Sequence, residues 1–416
     1  MNVLIKSATI LDSKSDFHNQ TQDILIEKGI ITNISKRIKN PNNYKEIQLE
    51  NLHVSQGWFD SSVSFGEPGF EERETIANGL KTAAKSGFTS VVLNANTNPV
   101  LDSNSDISFV KNMSQNNAVS IYPIGALTKN SQGKDLAELF DMTNAGAVAF
   151  GDYKTPISNP NLMKIALQYA SSFDGLICSF PQENNIAGQG VMNEHITSTT
   201  IGLKGIPALA EELHVARDLF ILEYTEGMLH IPTISTAKSV ELIREAKKKK
   251  LDVTCSVAIH NLVFSDDVLT GFGTNFKVSP PLRTKEDIEA LIGGLKDGTI
   301  DMVTSDHNPL DIELKKVEFD YAHNGTIGLE SAFGALNTIL STKTAIKLLT
   351  KGKERFRIES NTVNIGNKAT MTLFNPDVSY EFSKEDIISK SKNAIFKGHT
   401  LKGRAYGIIA NKKIII

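Results

Sequence analysis

Between roughly residue 55 and residue 305 the chain repeats one alternation, a short β-branched run followed by a longer stretch with helical spacing. The strand-like runs are Trp58–Val63, Thr89–Asn94, Val119–Leu127, Ala145–Gly151, Gly175–Phe180, Leu229–Ile234, Asp252–His260 and Ile300–Ser305. Amphipathic stretches lie between most of them: Glu71–Lys85 (Ile76, Leu80, Ala83), Asn161–Ala170, Thr236–Lys249, and Glu286–Lys296 (Ile288, Leu291, Leu295). Strands joined through crossover helices run parallel. Eight of them predict an α/β fold, a (β/α)8 barrel of the TIM type.

The two ends have a different texture. Asn2–Ile10, Asp23–Ile26 and Gly29–Ser35 are short apolar segments broken by turn residues. Ala369–Phe374 alternates, Asn375-Pro376-Asp377 signals a turn, and Gly403–Ile409 and Lys412–Ile416 read as two more strands around Ala410-Asn411. The expected organisation is a small β-sandwich domain formed by both termini (1–54 and 351–416) around a barrel at 55–350. The lysine run Lys247–Lys250 reads as the end of a helix, where cations suit the dipole.

Composition narrows the function. With 44 Lys+Arg against 47 Asp+Glu the net charge is −3, which excludes a strongly basic nucleic-acid surface. No run of about 18 apolar residues exists, so no membrane span is expected. Met1–Ile10 alternates and carries Lys6, so it reads as a strand and not as the apolar core of a leader. Two Cys, Cys178 and Cys255, cannot build a disulfide framework or a thiolate zinc site, and they suit a reduced, cytoplasmic protein. Nine His could build a metal site, so their placement decides the matter.

In such a barrel, chemistry gathers at the C-terminal ends of the strands. There the chain offers Asp60–Gly69, Asn94–Pro99, Leu127–Lys129, Gly151–Lys154, Cys178–Glu183, His230–Thr233, His260-Asn261 and Thr304–Pro309. The usual metal signature, His-x-His on one strand face, is missing. Only His230, His260, His307 and His323 fall near the active face. Asp306 stands at a general acid/base position, with capping of its own turn as the structural reading. Ser62 and Ser64 could act as nucleophiles only with a base beside them.

Longer motifs carry a family resemblance. Ser55–Asp60 through Glu67-Pro68-Gly69 and Glu74-Thr75-Ile76 resembles the opening barrel motif of the dihydroorotase family. Gly87–Val92 with Asn96–Pro99, Gly190–Glu194, Gly205–Glu212, Ser235-Thr236-Ala237, Pro280–Arg283, Gly298–Asp301, Gly328-Leu329-Glu330 and Leu401–Arg404 continue it in order along the chain. The resemblance implies an amidohydrolase barrel with a small β domain. It also implies interconversion of dihydroorotate and carbamoyl-aspartate with zinc.

Carried over by position, the family's site is largely absent. The His-x-His positions hold Ser62 and Ser64, and the carboxylate-binding Arg position holds Gly66. The metal-bridging acid position is filled by Asp152, and the next two metal-ligand positions hold Phe180 and Thr233. The proton-shuttling Asp is kept as Asp306. Of the substrate contacts, Asn96 and Gly325 remain, while Ser279 and Leu310 replace others. Hydroxyls are poor zinc ligands and a phenyl ring is none, so no metal is expected. The resemblance then implies a non-catalytic homologue, a homodimer or a structural and regulatory partner of aspartate transcarbamoylase. The alternative is a working dihydroorotase or other cyclic-amide hydrolase. Zinc would then bind in an altered site built from Asp152, His260, Asp306 and His307.

Overall fold

The computed structural model describes residues 1–40 and 42–416. Eight strands pair in chain order and all in parallel: Trp58–Val63, Phe88–Leu93, Ser120–Gly125, Ala149–Phe150, Ile177–Cys178, Leu229–Ile231, Val253–Ala258 and Met302–Thr304. Helices such as Ile76–Lys85, Pro160–Ser171, Ala208–Thr225, Ala237–Lys248 and Lys285–Asp297 connect them and bury one face each against the sheet. The first and last strands meet to close the barrel. Ser64 donates its N–H to the His307 carbonyl at 2.7 Å. The buried Asp60 carboxylate accepts from Thr304 Oγ1 at 2.5 Å and from the Ser305 N–H at 2.9 Å. Burial pushes the Asp60 carboxyl above the usual range while these donors pull it back.

Several barrel strands are shorter than the sequence pattern suggests. The run Ala145–Gly151 is divided: Leu139–Ala145 is helix, Gly146 ends it at φ +105°, and only Ala149–Phe150 pairs. The seventh strand stops at Ala258, and His260 sits in a 3-10 turn over Ile259–Leu262. Apolar burial, which the pattern reports, extends past the hydrogen-bonded ladder at these strand ends.

The termini build one continuous sheet path. Val3–Ile10, Thr21–Glu27 and Ile30–Ser35 from the N-terminus join Met371–Glu381, Thr400–Ala410 and Lys413–Ile415 from the C-terminus through His53–Gln56. A second core, with Val3, Ile10, Ile24, Val54, Met371 and Ile409, lies here. The expected turn at Asn375-Pro376-Asp377 is instead a register irregularity inside one long strand. Proline lacks only its own N–H, which a bulge tolerates. The segment 382–399 does not stay with this domain. It returns to the barrel, where Asn393 Nδ2 donates to the Asn308 and Gly325 carbonyls at 3.1 and 3.2 Å. Among the described residues no helix is long and apolar enough to cross a membrane.

Candidate functional site

The strand ends converge on one small cavity. Its wall includes Ser62, Asn94, Tyr153, Lys154, Phe180, His230, Thr233 and Asp306, with Phe356 beneath. Ser62 from the first strand, and Phe180 and Thr233 from just past the fifth and sixth, share this wall, while Ser64 is not on it. Tyr153, Thr233 and Asp306 all have left-handed backbones (φ +52°, +50° and +48°). For Tyr153 and Thr233 that conformation is strained, at about 1–3 kcal/mol each, while Asp tolerates it better. Three such residues on one cavity wall mark a place where the fold aims side chains inward.

What they aim at is an ion pair. Lys154 Nζ lies 2.7 Å from Asp306 Oδ2, and the Asp306 side chain is 2% exposed. Burial works against the Lys154 charge, but the Asp306 carboxylate and Tyr153 hold its pKa above the ordinary value. Burial raises the Asp306 carboxyl, and the Lys154 ammonium opposes that rise. Asp306 therefore does not cap its own turn. Its other oxygen, Oδ1, is buried without a protein partner, as are Tyr153 Oη and Ser61 Oγ. The cavity volume is ≈ 30 Å³. That is room for about one water molecule, against roughly 300 Å³ or more for an ordinary small-molecule site.

Zinc does not fit these side chains. An ammonium group occupies the one carboxylate that faces the cavity, and Phe180, 4% exposed, fills a ligand position with carbon. Asn94 Nδ2 donates to Ser62 Oγ at 3.1 Å and to Ser64 Oγ at 3.2 Å, which ties both hydroxyls to the strand ends. The Cys178 thiol also lines the cavity, but burial pushes it up to about 12, away from the thiolate a metal requires.

Four expectations need correction. Asp152 does not stand at the bridging position. Its carboxylate turns away to accept from the N–H groups of Leu127 (2.8 Å) and Thr128 (3.0 Å) and from the Thr128 hydroxyl, and Tyr153 faces the cavity in its place. The altered site from Asp152, His260, Asp306 and His307 does not assemble. His307 Nδ1 accepts from the N–H groups of Gly328 and Leu329 at 3.2 and 3.3 Å, and among the described residues no three His, Cys, Asp or Glu are grouped to hold a metal. Asn96 is off the cavity wall, where Asn94 stands instead. Gly325 is also off it: at φ +151° it lies beside Asn308, whose Nδ2 a Cβ would meet at 2.6 Å, so its glycine answers to the loop.

Three imidazoles near the strand ends are held neutral. Burial brings His230 down to about 3, helped by the Arg355 and Lys247 charges, and its ring nitrogens face Thr254 and Ser256 hydroxyls at 2.9 and 3.3 Å. His260 is held at about 3 by burial and then by the Lys154 charge, and His307 at about 4 by burial. Gly66 closes the last option. A Cβ there would meet the Phe70 carbonyl oxygen at 1.9 Å, so an arginine cannot be restored without moving the backbone. Lys154 carries the site, yet no motif singles it out. Its only signal is a lysine four residues past an apolar strand end, at the barrel face where chemistry gathers.

The resembling motifs meet elsewhere, in a buried network. Arg283 Nη1 donates to Asn193 Oδ1 at 2.8 Å and to the Ile206 carbonyl at 2.9 Å, and its Nε donates to Ser235 Oγ at 3.1 Å. Glu211 accepts from the Ser235 and Thr236 N–H groups at 2.8 and 3.1 Å, and Asp266 from Asn193 Nδ2 at 2.7 Å. No polar side-chain atom of these residues is left buried without a partner.

A parallel barrel with strand-end side chains and a β domain built from both termini defines the amidohydrolase class of fold. The L-hydantoinase (dihydropyrimidinase) of Arthrobacter aurescens matches it with a TM-score of 0.85 at 21% identity, covering 100% of this chain and 97% of that one. The dihydropyrimidinase of Brevibacillus agri matches at 0.82 and 19%, covering 100% and 96%. The Dihydro-orotase-like family model matches residues 53–239. The dihydroorotase of Pelotomaculum thermopropionicum is 40% identical over 100% of this chain and 99% of its own, and that of Ruminiclostridium cellulolyticum 39% identical over the same shares. The chain belongs to the dihydroorotase family.

Proposed function

We propose that this is a dihydroorotase-like protein of pyrimidine biosynthesis that has lost zinc and catalysis and serves in the cytoplasm as a structural or regulatory component. The observation that carries this reading is the Lys154–Asp306 pair, which places a fixed protein cation where the family positions converge. It leaves a cavity too small for a cyclic amide and commits the proton-shuttling carboxylate to a lysine. The relatives' name, at about 40% identity over the full chain, supports the pathway assignment. The reading of an altered but active metal site has no donor set to support it.

The partner proposed is aspartate transcarbamoylase, alongside a homodimer. An exposed apolar face supports an assembly role: Leu209, Leu213, Phe220 and Tyr224 lie along one helix, with Ile165 and Tyr169 on the helix packed beside it. Elemental analysis of the purified protein, paired with a dihydroorotate cyclisation assay, tests the loss of chemistry. No stoichiometric metal and no turnover are expected. About one or two metals per chain, removable by chelator together with activity, would overturn the reading. Co-sedimentation with aspartate transcarbamoylase tests the role. Binding that is lost in Phe220→Glu is expected; no complex at micromolar concentrations removes that partner.

A further inference from the structure

A second cavity lies where the N-terminal sheet meets the helix Thr342–Lys351. Its volume is ≈ 320 Å³, and it shares no wall residue with the barrel cavity. One side is a row of lysines. Lys343, Lys347 and Lys351 are spaced four apart, so they stack on one helix face over about 12 Å. Lys14 is on the same wall.

This charge is mostly uncompensated. Lys14 lies 3.5 Å from Glu354, but among the described residues no carboxylate comes within ion-pairing distance of Lys343, Lys347 or Lys351. Asp12, the other acid of the wall, is already spent on Gln56 Nε2 at 2.8 Å and on the N–H groups of Val363 (2.9 Å) and Lys14 (3.0 Å). His18 adds a buried Nδ1 with no partner. Like charges at this spacing destabilise an isolated helix, so the row needs an external reason. The wall is not purely ionic, because Leu11 and Ile346 give it an apolar portion.

We infer that this cavity binds a small organic diphosphate or triphosphate, of the size of a nucleoside diphosphate. The lysine row spans more than a single phosphate group, which matches consecutive phosphates, and the apolar portion receives the organic part. Ammonium groups bind phosphate as point charges, so the site selects for charge and length. The volume falls at the lower end of ordinary small-molecule sites.

Titration calorimetry on the full chain tests this with ADP, pyrophosphate and inorganic phosphate. ADP is expected to bind more tightly than pyrophosphate, and pyrophosphate more tightly than phosphate, with affinity falling as salt rises. The Lys343→Gln/Lys347→Gln variant is expected to lose about tenfold or more of ADP affinity. It keeps its unliganded melting temperature or gains slightly, which separates lost binding from lost folding. Absence of binding by ADP and pyrophosphate at millimolar concentration overturns the proposal, and so does equal affinity in the variant. Pyrophosphate binding as tightly as ADP would overturn the organic half of it.

Discussion

The Arg283 network and the Lys154–Asp306 cavity are both buried, charged and built from strand-end and loop residues, yet they differ in how fully their polar atoms are paired. Around Arg283 no buried side-chain polar atom is orphaned, whereas around Lys154 the structure leaves Asp306 Oδ1, Tyr153 Oη and Ser61 Oγ without protein partners. An ionised group in a fully satisfied network cannot be changed without stranding its neighbours. A group with unpaired polar neighbours can be replaced at a lower cost, because fewer protein partners are stranded with it. The Arg283 network therefore constrains its own residues, while the Lys154–Asp306 cavity leaves polar atoms free to meet a small ligand or water.

Substitutions can break the comparison. Arg283→Met strands Asn193 and Ser235, removes the guanidinium 3.9 Å from Glu211, and is expected to cost about 3–5 kcal/mol, read as a fall in the urea midpoint. A cost under about 1 kcal/mol would show that the network is not tightly coupled.

Acid separates the regions next. His230, His260 and His307 titrate at about 3, 3 and 4 in the folded chain, against about 6.5 when unfolded. The unfolded state therefore takes up protons first. The stability these neutral rings permit is fully present above pH 6.5 and is lost as pH falls toward 4. At pH 5 the loss is about 2 kcal/mol per ring. Urea unfolding at pH 7 and pH 5 should show this, and His230→Gln should reduce the difference by about one ring's share. A variant with an unchanged difference would show that His230 is not held neutral.

The smallest effect is expected at the site itself. Lys154→Met removes the partner of Asp306, but the carboxyl can take up a proton, so the cost is about 1–2 kcal/mol. Adding Asp306→Asn should recover most of it. A Lys154→Met loss as large as that of Arg283→Met would erase the distinction between the two regions.

Much of the fold was legible in order along the chain. The barrel follows from period-2 and period-3.6 burial, which each segment carries locally. Strand ends were less so: His260 reads as strand because burial continues after pairing stops, and Ala145 because the end of a helix runs almost directly into the short strand Ala149–Phe150. The Asn375–Asp377 turn was misread because a bulge uses the same residues as a turn. At the site, the residue types at the strand ends were legible, including the absence of any His-x-His. Whether Asp152 or Tyr153 faced inward was not, since one residue of backbone rotation at φ +52° decides it.

The sequence by itself determined the barrel, the two-ended β domain, the family and the residue types at the strand ends, because periodicity and residue identity are properties of single segments. Only the tertiary structure decided that Lys154 reaches Asp306 across 152 positions of chain, that the resembling motifs close on Arg283, and that a row of lysines and Lys14 line one cavity. Each of these is a meeting of distant side chains. Coulomb attraction and desolvation depend on distance in space, which no local pattern records.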